Sequence, residues 1–308
     1  MHIPAMRCVR ELVVALVLPC TLLVFGPADG SELPAPLVKR AFADMRWGQI
    51  HYRIATPRIP AAAQKTPLVL FHQSPLSSLE YGPLIVEMGR DRVVIALDTP
   101  GQGGSDAPPG EVSIADYATE MIAALKTLGF GAQKPFDLMG NHTGTSLAME
   151  AALLEPKMVR QIVMTGMYMA PESQIQGDID ALVFPATSVE SFAELCRQTS
   201  AYASRAKLDA GADAIWGELT IDSWRPLRRR EDVHKAAFLY HKVKKERIAK
   251  VQQKVWMIGL DDALLRDSTR QSLEMFKNVE YVDLTQFKLD VFRAHPLELA
   301  AALRERLR

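Results

Sequence analysis

Short, almost wholly apolar runs alternate with longer segments of helical period along most of this chain, and that alternation restricts its fold more than any other feature. Pro67–His72 and Arg92–Asp98 are β-branched and aliphatic runs bounded by turn residues, which is how strands covered on both faces read. Ser78–Met88 and Ser113–Leu128 carry apolar residues at helical spacing, and Phe136–Met139 leads into a helix over Thr143–Leu154. Lys39–Trp47 and Gln49–Thr56 read as a hairpin around Gly48. Val159–Thr165, Lys254–Gly259 and Val279–Leu284 continue the strands, and Pro296–Leu307 closes with a helix. The pattern predicts an α/β fold built on a mostly parallel, doubly wound sheet. Residues 170–250 show no strand signal, so they are expected to form a helical cap inserted in a core of residues 39–169 and 251–308.

With 48% hydrophobic residues among 308, the chain can bury a core of that size. Lysine plus arginine and aspartate plus glutamate are both 36, for a formal net charge of zero. No global positive field exists to hold nucleic acid, and no nucleic-acid partner is expected. Cys8, Cys20 and Cys196 provide neither a disulfide framework nor a zinc-ligand spacing. Arg7 and Arg10 precede the apolar stretch Leu12–Phe25, with small residues following at Gly26 and Ala28. This reads as a signal peptide or hydrophobic leader over residues 1–28. The stretch falls short of the ~20 residues that span a bilayer. A periplasmic or secreted protein with no stable membrane span after cleavage is therefore expected.

The main chemical signal is Gly140-Asn141-His142-Thr143-Gly144, with glycines two before and two after a central residue, between a strand and a helix. That spacing lets the chain reverse sharply and pushes the tip side chain outward. Leu70-Phe71-His72-Gln73 follows the third strand, and Asp98-Thr99-Pro100-Gly101-Gln102-Gly103-Gly104-Ser105-Asp106 follows the fourth. Val255–Gly259 runs on to Asp261-Asp262. With these four motifs in this order, the chain from about Lys39 to Leu307 resembles the α/β-hydrolase family. The resemblance implies that family's fold with a helical cap, a small-molecule substrate and no cofactor.

The departures from the family bear most on chemistry. Its elbow tip carries a nucleophile, usually serine, sometimes cysteine or aspartate; here the tip is His142. Its catalytic histidine lies on the loop after the last strand, whereas Gln286–Val291 contains none and His295 stands directly before Pro296. The acid position survives in Gly259-Leu260-Asp261-Asp262, which points to Asp262 with Asp261 as the alternative.

An imidazole at that tip is able to act as a general base, and a carboxylate within reach would fix its tautomer. The following helix's N-terminus disfavours a positive charge on it. The resemblance implies an oxyanion hole from the backbone amides of Thr143 and of Gln73 or Ser74. The Gln73 side chain would add a donor or narrow the cavity. Ser74 and Ser77 are the nearby hydroxyls, read either as displaced nucleophiles or as turn residues. His72 reads as a loop support, the spacing of His72, His142 and Asp262 supports no metal site, and Gly101–Gly104 lacks the order of a phosphate loop. In the cap, basic residues from Arg225 to Lys250 crowd together, Lys244 among them; they read as solvated faces or as an attraction for an anion. Trp216, Trp224, Phe238 and Tyr240 are candidates for pocket lining.

Three readings of function follow: hydrolysis of a small carbonyl compound such as an ester or lactone, with His142 as general base; a non-hydrolytic lyase or isomerase in which His142 abstracts a proton; and a non-catalytic binding member of the family. Mass spectrometry of protein from a secreting host should show a new N-terminus near Asp29. An intact Met1 in the mature protein would contradict the leader.

Overall fold

The computed structural model describes residues 33–182, 189–190, 193–194, 196–197, 217–222, 232–262 and 264–308. Eight strands form one sheet: β1 (Leu37–Met45), β2 (Gly48–Thr56), β3 (Leu68–Phe71), β4 (Val94–Leu97), β5 (Phe136–Asn141), β6 (Val159–Thr165), β7 (Lys254–Gly259) and β8 (Val279–Asp283). Their order is β1-β2-β4-β3-β5-β6-β7-β8. β1 pairs with β2, and β2 with β4, antiparallel; every other neighbour is parallel. The hairpin turns at Arg46-Trp47, since Met45 pairs with Gly48.

The described helices are α1 (Gly82–Met88), α2 (Ile114–Thr127), α3 (Thr143–Leu154), α4 (Glu172–Asp180), α5 (Asp232–Leu239), α6 (His241–Lys250), α7 (Arg266–Ser272), α8 (Val291–Ala294) and α9 (Pro296–Arg306). Both faces of the sheet are covered, which is why β3 and β4 are apolar at every position. Val69 and Phe71 join one buried layer with residues of α2 and α3. Leu68 and Leu70 join the other with residues of α1, α8 and α9. α2 begins in a capping box between Ser113 and Asp116. α3 is buried on all sides through Ala152, the mark of a helix inside the core rather than on it. The helix expected over Ser78–Met88 is split into a 3₁₀ turn, Ser78–Tyr81, and α1. Pro83 has no N–H to give to a preceding turn, so it stands in the first turn of a new helix.

α4, α5 and α6, with a helical stretch at 217–222, fall in the segment expected to form the cap. Residues 183–188, 191–192, 195, 198–216 and 223–231 of that segment, and the whole expected leader, lie outside the described residues. Among the described residues no helix is long and apolar enough to cross a membrane.

The Asp98–Asp106 motif works as a clasp. Asp98 Oδ1 accepts from the Ser78 amide at 2.8 Å, and its Oδ2 accepts from the Gly104 amide and pairs with His51 Nδ1, each at 2.8 Å. Burial alone would raise the Asp98 carboxyl, but these bonds and the nearby histidines hold it down to about 2.

Strand order fixes where a ligand can sit. β4 and β5 lie on opposite sides of β3, so connections diverge there and open a crevice beyond the carboxyl ends of β3 and β5. At this point α3 passes so close to β3 that a Cβ on Gly144 would stand 2.1 Å from the Phe71 carbonyl oxygen. Backbone in a central strand cannot yield easily. Gly144→Ala should therefore lower stability by about 1–3 kcal/mol, read as a lower urea midpoint at unchanged m-value; an unshifted midpoint would show that the elbow is looser than described.

Candidate active site

Two strand ends build the site. β5 ends at Asn141, and His142 follows with φ 47 and ψ −110 as the residue before α3. A left-handed backbone at a residue with a side chain costs of order 1–3 kcal/mol and persists only where surroundings over-determine it. Here they do. The His142 amide donates to the Thr165 carbonyl at 2.9 Å, and its carbonyl accepts from the Thr145 amide at 2.9 Å and the Thr145 hydroxyl at 2.6 Å. Asn141 accepts from the Thr165 hydroxyl at 2.6 Å and donates to Glu80 at 2.8 Å.

The His142 ring meets Asp262, beyond the end of β7, through Nε2···Oδ2 at 2.9 Å. Gly166, at φ +67, makes room for it: a Cβ there would stand 2.1 Å from Cδ2 and 2.5 Å from Nε2. The Cδ2–Nε2 edge thus lies against Gly166 and Asp262. Asp262 is almost enclosed, with its side chain 4% exposed. Burial pushes its carboxyl up, but the His142 hydrogen bond and charge, with the amides of Leu264 at 2.9 Å and Leu265 at 3.2 Å, outweigh burial and hold it below the ordinary 3.8. An ionised Asp262 takes a proton-bearing Nε2, so the neutral ring carries its lone pair on Nδ1. Asp261, the alternative acid, turns to solvent and pairs with Arg266 at 3.1 Å. The carboxylate that reaches the elbow is Asp262.

His142, Thr143, Gln73 and Ser74 line a cavity of about 450 Å³. Leu76, Leu264, Leu265 and Leu289 give it apolar walls, and Tyr168, Gln174, Asp178, His234, Phe238 and Lys244 add polar and aromatic ones. Leu289 stands in the loop where the family's histidine was sought. Phe238 lines the cavity as expected; Tyr240 instead donates its hydroxyl to Glu150 at 2.5 Å, and Trp216 and Trp224 lie outside the described residues.

Gln73 differs from expectation. Its amide donates to Glu80 Oε2 at 3.1 Å and its side chain to Glu80 Oε1 at 2.9 Å, so of the two amides considered after β3, Ser74's is the one left for a ligand. Ser77 caps the following turn, accepting from the Leu79 amide, and donates to Asp222 at 2.5 Å. His72 pairs Nδ1 with the Gln73 carbonyl at 2.8 Å and accepts the Thr99 amide on Nε2 at 2.9 Å. Both ring nitrogens are used, so it joins two loops and has none free for a metal. Among the described residues no group of three histidine, cysteine or acidic side chains is placed to hold a metal ion.

Glu80 escaped the sequence reading, and the burial of Lys244, read there only as one of a basic run, was not foreseen. Glu80 is buried beneath the elbow, where burial, against its hydrogen bonds, pushes its carboxyl up to about 7. Lys244 is 1% exposed, and burial lowers its ammonium to about 7. Tyr240, Lys244 and Ile248 recur at helical spacing and are all buried, a signal hidden in the sequence by the basic residues around them.

Comparison with known proteins bears on the fold. The family model for the alpha/beta hydrolase fold matches residues 66–212. The chain has the α/β-hydrolase fold. The chain is 29% identical over 103 residues to (E)-2-((N-methylformamido)methylene)succinate hydrolase of Acinetobacter baylyi, covering 33% of this chain and 38% of that protein. It is 32% identical over 98 residues to 2-(acetamidomethylene)succinate hydrolase of Mesorhizobium japonicum, covering 32% and 34%. The match thus spans little more than a third of either relative's length. An N-acyl homoserine lactonase structure superposes with TM-score 0.66 at 19% identity, covering 88% of this chain and 96% of that one, a likeness of fold.

The two perturbed carboxyls act on stability with opposite signs. Asp262 stabilises the fold above its unfolded value near 3.8, and the contribution is lost as pH falls through its lower folded value. Glu80 holds its proton in the fold up to about 7 but releases it near 4.5 when unfolded, so stability falls between those pH values. Thermal melts of Glu80→Gln should lose that decline and keep the acid-side loss. An unchanged decline between pH 4.5 and 7 would show that Glu80 is ionised throughout.

Proposed function

We propose that the protein is a hydrolase of a small carbonyl compound, an ester or lactone, in which His142 is the general base. The observation that carries this reading is the 2.9 Å bond from His142 Nε2 to Asp262, which leaves Nδ1 as the basic nitrogen at the cavity. Nδ1 takes a proton from water as the water oxygen bonds to the carbonyl carbon. The carbonyl π electrons move onto oxygen, and the Thr143 and Ser74 amides donate to that oxyanion, helped by the positive end of α3. Asp262 stabilises the imidazolium so formed. His142 then returns the proton to the departing oxygen as the C–O bond breaks, giving an acid and an alcohol. The relatives' names as hydrolases and the fold match support this assignment. The leader expected over residues 1–28 supports a periplasmic or secreted site of action.

A second reading is favoured by the elbow tip itself. With no hydroxyl or thiol there, the same base can remove a proton from the carbon beside a carbonyl while the amides hold an enolate. Incorporation of deuterium from solvent into unhydrolysed substrate would select it. A binding-only role is set aside if any turnover survives serine-directed fluorophosphonate, which should label neither Ser74 nor Ser77.

His142→Ala should lower kcat/KM by ~10²-fold or more in a screen of small esters and lactones, while the fold is kept. His142→Ser should not recover esterase activity, because Leu289 stands where a histidine would be needed to activate the hydroxyl. Near-native turnover in the alanine variant, or strong activity in the serine variant, would place the chemistry on another residue.

A further inference from the structure

Lys244 is a buried group that the mechanism above leaves unused. It lies on α6, is 1% exposed, and forms part of the wall of the cavity that holds His142. Its Nζ donates to the Tyr168 carbonyl at 3.0 Å and stands 5.6 and 5.8 Å from the ring centres of Tyr168 and Tyr240. No carboxylate among the described residues neutralises it. Asp178 accepts from the Tyr168 hydroxyl. Glu150 accepts from the Tyr240 hydroxyl at 2.5 Å and from two Arg247 nitrogens at 2.6 and 2.5 Å. Burial is the cause that acts on the ammonium, and it lowers the group to about 7; a carboxylate at hand would hold it up.

An ammonium enclosed by ring faces and one carbonyl is poorly compensated, and proteins seldom keep such a charge without an anion to share the site. Among the described residues of the cavity wall Lys244 is the single lysine or arginine, so one unit of negative charge matches it better than a phosphate dianion does. The amides at the start of α3 are already assigned to the oxyanion.

We propose that Lys244 receives a carboxylate carried by the substrate, so that the cavity selects carbonyl compounds with a second, anionic end. The inference rests on the reading of this cavity as an ester- or lactone-cleaving site, and it adds the class of substrate. A cavity of about 450 Å³ has room for a small acid of this kind.

The test reads binding rather than turnover. Butyrate, hexanoate and succinate, each beside its primary amide, are titrated against the full chain, and affinity is taken from the shift in melting temperature. At least one acid should bind more tightly than its amide, and Lys244→Met should lose about 30-fold or more of that affinity. Without ligand the variant should melt at or above the wild-type temperature, since an unmatched buried charge has been removed. The proposal is overturned if no acid binds, if acids and amides bind alike, or if Lys244→Met keeps the shift. The wild-type comparison of acid with amide decides the matter even if the variant fails to fold. Ester turnover without carboxylate binding would overturn this inference alone, and carboxylate binding without ester or lactone turnover would overturn the hydrolase reading alone.

Discussion

His142 and Asp262 follow separate strands, lie 120 residues apart in sequence and meet through one 2.9 Å hydrogen bond. That bond determines what the rest of the cavity is able to do. By taking Nε2 it sets the tautomer, and by setting the tautomer it leaves the lone pair on Nδ1. It also depends on everything around it. The ring reaches Asp262 because Gly166 has no side chain in its way, and Asp262 stays ionised because the Leu264 and Leu265 amides share its charge. The elbow that aims the ring is held in an unfavourable backbone conformation by Thr145, Thr165, Asn141 and Glu80.

Loss of a nucleophile at the tip changes the logic of the fold's usual site without dismantling it. The imidazole stands on the elbow itself, directly before the start of α3. Leu289 stands in the loop after β8. After β3 the Gln73 amide is committed to Glu80, so the proposed oxyanion site draws on Ser74. The proposed electrostatics of the cavity rest on His142 at the elbow, the α3 N-terminus beside it, and Lys244 and Asp178 in the wall.

Much of the architecture was legible because it is local. Continuous apolar runs mark strands covered on both faces, Ser113 and Asp116 mark a helix start, and the paired glycines mark the elbow. The element bounds moved by a residue or two, with Pro83 splitting one helix. The pairing at the site depends on distances between loops, which spacing does not encode. Asp261 and Asp262 are adjacent and chemically identical, and only the path of the loop turns one to His142 and the other to Arg266. Glu80 looks like any acid in the first turn of a surface helix until the fold buries it beneath β5. Lys244 is masked by its basic neighbours, although its spacing from Tyr240 and Ile248 places all three on one helix face.

The tautomer of His142 tests the account most directly. Nitrogen-15 NMR of histidine-labelled protein, assigned by comparison with His142→Ala, reports which ring nitrogen carries the proton. For the neutral form of the ring the account predicts the proton on Nε2, with an unprotonated Nδ1 whose signal moves when a carbonyl ligand or water-mimicking inhibitor enters the cavity. A ring protonated at Nδ1 in the neutral state would mean that Asp262 accepts no proton-bearing nitrogen and that the elbow presents no base, which contradicts the account.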